Sequence, residues 1–144
     1  MPIVIDANRA GDFTPPISGH AGAILLRLRN RTIRIVLGGE LKRELASTKF
    51  INIIVEQQRS GQLLNINDEI VDEETDIVVA LGIQSNDPHV LALLRVSETR
   101  LLYTEDGDLM VDARDTRLVN PRSTIITPTT PAPRVRGHLN DHAN

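Results

Sequence analysis

Cysteine and aromatic residues are what this sequence most clearly lacks. Its 144 residues include no Cys and no Trp, and the aromatic side chains are Phe13, Phe50 and Tyr103. The lack of Cys excludes disulfide bonds, thiolate zinc sites and Cys nucleophiles, and it fits an expected cytoplasmic location. So few aromatic rings argue against a sheet that binds RNA by stacking bases on an aromatic platform.

Long apolar segments and a strong net charge are also missing. The longest apolar run, residues 77–83, is far shorter than the roughly 20 residues that a membrane helix needs. The N-terminus has no basic stretch followed by a long apolar one, so we expect neither a signal peptide nor membrane association. With a net charge of −3, any affinity for nucleic acid must come from a local basic patch or from metal ions bound to acids.

What the sequence does contain is an alternation of short apolar runs with segments of helical periodicity. Apolar runs predict buried strands at residues 2–8, 33–37, 63–66 and 100–104, and an edge strand within 119–126. Helical spacing predicts helices at residues 19–29, 48–59, 67–80 and 87–98, and one that begins after Gly39. We therefore predict an α/β protein of three layers, in which helices cover a mostly parallel sheet of four to five strands.

The last part of the chain differs in composition from the rest. Residues 127–144 are rich in Pro and Thr and have no helical period. Such a segment buries too little apolar surface to offset the entropy of ordering it. We therefore predict one domain over residues 1–126 and a flexible tail over residues 127–144.

Acidic side chains occur next to the same end of several predicted strands. Asp6 ends the first strand, Glu40 comes just after the second, and Asp106 and Asp108 come just after the fourth. Asp87 begins the helix that leads into the fourth strand. Because the carboxyl ends of parallel strands meet at one edge of a sheet, we expect these carboxylates to converge there.

Each of these acids also has an ordinary structural explanation. Asp87 is suited to cap a helix, Glu40 to interact with a helix dipole, and residues 106–108 to form a turn. Gathered at one edge, however, the carboxylates would repel one another unless a cation neutralised them. Oxygen ligands without His or Cys select Mg²⁺ or Mn²⁺, which activate water and stabilise charge in phosphodiester hydrolysis. The sequence therefore predicts a metal site for this chemistry.

Other charged groups have simpler interpretations. The helix at residues 67–80 carries six acids, which we interpret as a solvated face opposite an inward face that includes Ile70 and Ile77. We expect His89, His138 and His142 at the surface rather than as metal ligands.

A basic cluster, Arg27, Arg29, Arg31 and Arg34, lies at the end of the first helix. Cations suit the C-terminal end of a helix dipole, so the first interpretation is a solvated helix end. Contact with phosphate groups is the alternative.

The order of the acidic motifs resembles the PIN (PilT N-terminus) domain, the fold of many small metal-dependent ribonucleases. The resemblance extends over residues 2–112. It rests on four motifs, which are Asp6-Ala7-Asn8, Glu40 in Gly-Gly-Glu-Leu-Lys-Arg-Glu-Leu, Asp87 at a helix start, and Thr104-Glu105-Asp106.

The resemblance implies a role for each matching residue. The catalytic metal ligands would be Asp6, Glu40, Asp87 and Asp106, with Asp108 as an accessory ligand and with Asn8 and Thr104 positioning the acids or a water molecule. Glu44, one helical turn after Glu40 on the same face, stays open as the alternative to Glu40.

The PIN resemblance also implies a function. It predicts an endoribonuclease-like hydrolase that depends on Mg²⁺ or Mn²⁺ and cleaves phosphodiester bonds, with RNA as the expected substrate, through water activated by the metal. Contacts to nucleic acid are predicted for Arg9, Lys42, Arg43 and Arg27. Because such domains are common in toxin–antitoxin systems, an inhibitory protein partner and a dimer are further expectations.

Two other classes of function stay open. A catalytically silent binding or regulatory module could use the same fold, and metal ions would not stabilise it. A small-molecule phosphatase with an Asp nucleophile needs Asp-x-Asp after the first strand, and the third position of that motif is Asn8 here.

Overall fold

Five short parallel strands form the centre of the protein in the computed structural model, which describes residues 1–141. The strands are β1 (Pro2–Ile5), β2 (Arg34–Leu37), β3 (Leu64–Asn65), β4 (Leu101–Tyr103) and β5 (Thr124–Ile126). Their order across the sheet is β3-β2-β1-β4-β5. Each adjacent pair is parallel, with Ile5 opposite Tyr103 and Tyr103 opposite Ile126 in register.

Helices flank this sheet, which confirms the predicted α/β class. A 3₁₀ helix (Ala7–Phe13) follows β1, and the α-helices are α1 (Ala21–Arg29), α2 (Gly39–Ala46), α3 (Ile51–Arg59), α4 (Asp68–Leu81), α5 (Pro88–Ser97), α6 (Gly107–Arg114) and α7 (Ala132–Asp141). The side chains of Ile3, Val4 and Ile5 are fully buried. A continuous apolar strand of this kind is what a sheet covered on both faces requires.

The start of α2 passes very close to the start of α4. Gly39 has a φ of +61°, and a Cβ built there would lie 2.7 Å from Cγ1 of Val71. The backbone N–H of Gly39 donates to the Asp68 carboxylate at 2.9 Å. The glycine therefore permits both the backbone angle and the close approach of the two helices.

Helix α4 is positioned differently from the sequence prediction. Asn67 caps it by accepting hydrogen bonds from two backbone N–H groups, and Val71 and Val78 are buried as expected. Ile70 and Ile77, however, are 52% and 50% exposed, so their predicted inward orientation is wrong. The buried stripe of this helix is narrow because the helix packs mainly against α5 at its side.

The C-terminal segment also differs from the predicted flexible tail. Residues 132–141 form α7, in which Val135 and Leu139 are each 1% exposed. These two residues lie four positions apart and share one helical face, and the backbone N–H of Val135 donates to the carbonyl of Pro131. Pro133 falls in the first turn, where its missing N–H costs no helical hydrogen bond. Residues 142–144 of the predicted tail, including His142, lie outside the described residues.

None of the helices in residues 1–141 is both long and apolar enough to cross a membrane.

Candidate metal centre

The predicted acids lie at the point of the sheet where the order of successive strands reverses. The chain runs from β1 outward through β2 and β3, and then returns to the other side of β1 through β4. The carboxyl ends of strands at such a switch point form the crevice in which open α/β sheets bind ligands. Asp6 follows β1 at this point, and Thr104 and Asp106 follow β4.

Asp6 is 2% exposed and is held by two hydrogen bonds. The hydroxyl of Thr104 donates to Oδ2 at 2.7 Å, and the backbone N–H of Asn8 donates to Oδ1 at 3.2 Å. The side chain of Asn8 itself is exposed. Thr104 therefore positions Asp6 through its side chain, whereas Asn8 contributes through its backbone.

Asp106 is tied to Asp6 through the same threonine. Its backbone N–H donates to the Thr104 hydroxyl oxygen at 3.1 Å. Its Oδ1 accepts from the backbone N–H groups of Asp108 and Leu109, so it caps α6. Asp108 is exposed and takes part in this arrangement through its backbone. The capping contact explains locally why an acid stands at position 106, and it leaves that acid beside Asp6.

Asp87 completes a group of mutually repelling carboxylates. Burial raises the pKa of its carboxyl above the usual 3.8, and the negative charge of Asp6 raises it further. Nearby His89 lowers this pKa, whereas Asp106 and Glu44 raise it. The residue precedes α5 without making a side-chain capping bond. Its carboxylate thus faces other acids instead of serving the helix.

The acid on α2 that reaches this group is Glu44. Glu40 is exposed and accepts a hydrogen bond from Nε of Arg43 at 2.9 Å, and Arg43 also pairs with Asp72 on α4. Glu44 raises the pKa of Asp87, as described, whereas Glu40 is engaged by an arginine. The structure therefore brings Glu44, rather than the predicted Glu40, to the acids.

Two residues of this region were not predicted from the sequence to belong to the site. Buried Asp112 accepts hydrogen bonds from the backbone N–H groups of Gln84 and Ser85, at 2.8 to 3.1 Å, and so fixes the loop that carries Asp87. Nε2 of His89 lies within ion-pair distance of Oε1 of Glu44, and the His89 side chain is 13% exposed rather than at the surface as expected.

A sequence signal for these two residues is weak. For His89, the one indication that it belongs to the site is its place two positions after Asp87. Asp112 lies in a helix, where an acid usually faces water.

The chemistry of the ligands at this site favours a metal ion, whereas their present arrangement does not. The available ligands are carboxylate oxygens, which suit a hard divalent ion, and Oε1 of Glu44 is buried with Nε2 of His89 beside it. Within residues 1–140, no three His, Asp or Glu side chains are arranged to hold an ion as they stand. The donor chemistry fits Mg²⁺ or Mn²⁺, and side-chain rotations would have to bring the carboxylates together. We refer to Asp6, Glu44, Asp87 and Asp106 as the acid edge.

The predicted basic contacts are distributed unevenly around the acid edge. Arg9 pairs with Glu105 at 2.7 Å and lies 3.7 Å from Asp12, and Arg43 is paired as described. Lys42 is half-buried beside residues 65–68 at the β3 side of the sheet.

Arg27 lies elsewhere. Its carbonyl accepts from the backbone N–H groups of Thr32 and Ile33, just before β2 begins, so it is at the opposite edge of the sheet. The structure does not bring Arg27 to the acids.

Comparisons with known proteins bear on the fold. No protein-family model matches the chain, and no curated protein sequence matches it. Among solved structures, this chain is similar to the crystal structure of VapBC2 from Rickettsia felis bound to a DNA fragment from the VapBC2 promoter. The TM-score is 0.51 and the sequence identity is 12%. The alignment covers 88% of this chain and 98% of that chain. At this level of identity the similarity shows a shared fold.

Proposed function

We propose that this protein is a metal-dependent nuclease that hydrolyses phosphodiester bonds, with RNA as the expected substrate. The observation that carries the proposal is the acid edge itself, where burial, followed by the charges of Asp6, Asp106 and Glu44, raises the pKa of Asp87 at the switch point of a parallel sheet. Uncompensated carboxylates at such a crevice are costly for folding, and a bound cation would relieve that cost.

The side chains of the acid edge divide into ligands and a positioning group. Asp6, Glu44, Asp87 and Asp106 would hold Mg²⁺ or Mn²⁺, with Glu44 in the place first assigned to Glu40. Thr104 is the positioning residue, because its one hydroxyl bonds both the Asp6 carboxylate and the Asp106 backbone.

The protein and the metal contribute different parts of the chemistry. When bound, a divalent ion lowers the pKa of water and stabilises the charge that develops on a phosphate. The chain would supply fixed carboxylates on rigid strand and helix ends, which reduce the reorganisation needed when the substrate binds. Dimerisation and inhibition by a protein partner stay predictions of the family resemblance, and the fold shared with VapBC2 is compatible with them.

The test compares the same Glu→Gln substitution at two positions of α2. Cleavage of a labelled single-stranded RNA, and of DNA with the same sequence, is measured with Mn²⁺ and with EDTA. Glu44→Gln and Asp6→Asn are each expected to lower the RNA cleavage rate by about a hundredfold or more, because each removes a ligand of an ion that would contribute several kcal/mol of charge stabilisation in the transition state. Glu40→Gln is expected to stay within a few-fold of wild type, because Arg43 already neutralises Glu40.

Thermal unfolding with and without Mn²⁺ distinguishes a metal-dependent nuclease from a catalytically silent binding module. Mn²⁺ at 100 times its Kd should stabilise the wild type by about 2.7 kcal/mol, and Asp6→Asn should lose this gain. If Mn²⁺ neither stabilised the protein nor supported cleavage, the proposal would be refuted and the catalytically silent binding module would be the better hypothesis. Loss of activity in Glu40→Gln but not in Glu44→Gln would reverse the assignment of the ligand.

A further inference from the structure

A basic cleft lies along the outer edge of the sheet, between β5 and α7. It encloses about 430 Å³. Arg114 from the end of α6, Arg122 from the loop before β5, and Arg134 and His138 from α7 line it. Among residues 1–140, no acidic residue lines it, although the whole chain carries more Asp and Glu than Lys and Arg. We call this feature the β5–α7 cleft.

The cations of the β5–α7 cleft form no ion pair with any side chain of residues 1–140. Every ion pair in this range involves other side chains, so the guanidinium groups of Arg114, Arg122 and Arg134 have none there. Unpaired guanidinium groups on three different elements repel one another, and they would be stabilised together by an anion that contacts all three.

A second, independent observation also points to a ligand. Ser123 lines the cleft and is 6% exposed, and its buried Oγ has no hydrogen-bond partner within residues 1–141. Buried hydroxyl groups in proteins are nearly always hydrogen-bonded. A partnerless hydroxyl beside three arginines is the combination that an oxyanion would complete.

We propose that the β5–α7 cleft binds a phosphodiester group of nucleic acid through Arg114, Arg122, Arg134 and Ser123. The identity of this ligand rests on the proposed function, whereas the anion site itself does not require cleavage.

The position of the cleft favours nucleic acid. The backbone N–H of Thr104 donates to the carbonyl of Ile126 at 3.1 Å, so the end of β5 is level with the start of the acid edge. Thr127, the next residue, lines the cleft. Arg122 and Ser123 precede β5 and lie at the opposite end of this three-residue strand. A strand bound at the acid edge would therefore enter the cleft at Thr127 and run along β5 to reach them.

An acidic peptide fits the cleft less well. Peptide interfaces depend on apolar or aromatic anchors that fill pockets, and the apolar side chain in this lining is Ile125. The lining otherwise consists of basic and hydroxyl groups, which suits the oxygen atoms of phosphates.

The test measures binding without cleavage. The full chain is titrated into a fluorescently labelled single-stranded RNA in EDTA over a series of salt concentrations. Arg122→Ala combined with Arg134→Ala should weaken binding about tenfold or more. It should also reduce the slope of log K against log salt by about 1.4, because each phosphate contact contributes about 0.7 for a single strand.

Two variants on the same elements serve as controls. Arg136→Ala removes one positive charge, half of what the double variant removes, from the exposed surface of α7 outside the cleft lining, and it should leave affinity and slope nearly unchanged. Arg122→Lys combined with Arg134→Lys keeps the charge and should restore most of the slope. Ser123→Ala should weaken RNA binding while the melting temperature of the free protein stays the same or rises.

Three outcomes would overturn the proposal. The first is an equal loss in Arg136→Ala and in the double variant. The second is RNA affinity that the double variant leaves unchanged, including the case in which inorganic phosphate alone is bound. The third is polyglutamate that binds as tightly as RNA with the same dependence on the arginines. Failure of cleavage with arginine-dependent RNA binding intact would refute the proposed nuclease and leave the cleft proposal standing.

Discussion

The acid edge follows β1 and β4, the β5–α7 cleft flanks the next strand of the same sheet, and the two carry charges of opposite sign. At the acid edge, the neighbouring arginines Arg9 and Arg43 are paired with other acids, Glu105 and Glu40. In the cleft, no acid from residues 1–140 is placed beside the arginines. Among the described residues, the ion pairs of arginine are thus formed around the two sites and not within them, which leaves one site able to attract a cation and the other an anion.

The two sites also differ in how the chain holds them. The acid edge is fixed by hydrogen bonds at strand ends, as with the buried carboxylate of Asp6 and the Thr104 hydroxyl. One wall of the cleft is a helix that is joined to the sheet by apolar contacts of Val135 and Leu139. Perturbing packing should therefore damage the cleft, whereas perturbing polar contacts should damage the acid edge.

The largest effect is expected where α7 meets the rest of the protein. Leu139→Ala should lower the free energy of unfolding by about 2–5 kcal/mol, the range for a buried leucine, and should weaken RNA binding in EDTA with it. Urea denaturation gives the first quantity. Ile77→Ala, a truncation at a half-exposed site, should change stability by no more than about 0.5 kcal/mol. If Leu139→Ala behaved like Ile77→Ala, α7 would not be packed in solution.

A smaller effect is expected when the acid edge loses a polar contact. Thr104→Val keeps the size of the side chain but removes the hydrogen bond to Asp6 and the acceptor for the Asp106 N–H. We expect a loss of about 1–3 kcal/mol, because a buried charged group loses its partner. Thr104→Ser keeps the hydroxyl and should retain most of the metal-dependent stabilisation, whereas Thr104→Val should not. Equal metal stabilisation in both variants would show that Thr104 does not position the acids.

The parts of this fold that follow from local pattern could be predicted from the sequence. Short β-branched runs and helical spacing located all five strands and most helices, and strand order along one edge placed Asp6 and Asp106 together. Residues 127–141 were harder, because Pro and Thr give a polar composition and two buried side chains, Val135 and Leu139, are too few to produce a clear period.

The remaining differences depend on tertiary geometry. Glu40 and Glu44 lie on the same helical face, and the positions of Arg43 and Asp72 on packed helices decide which of the two points toward Asp87. In the sequence, Asp112 looks like an ordinary helical acid. Its role is visible only in the folded protein, where it accepts hydrogen bonds from the backbone N–H groups of the loop before α5. Sequence spacing alone carries no information on such partners, which come from distant segments.

The smallest expected effect is a dependence of stability on pH at Asp87. Its carboxyl has a raised pKa in the folded protein, so the native state binds more protons than the unfolded state between pH 3.8 and that higher value. Stability contributed by the protonated form is therefore lost as the pH rises through this window. Asp87→Asn removes the charge without removing a side-chain cap, since Asp87 makes none.

Urea titrations in EDTA from pH 3 to pH 7 check this sign. Asp87→Asn should match the wild type below about pH 3.8, where both side chains are neutral, and should become the more stable protein as the pH approaches 7. Asp76→Asn, which neutralises an exposed acid on α4, should follow the wild type throughout. A wild type that is more stable than Asp87→Asn at pH 7 would mean that the Asp87 carboxylate is compensated by a cation of the protein. The acid edge would then resemble the ion pairs around Arg9 and Arg43, and its contrast with the β5–α7 cleft would disappear.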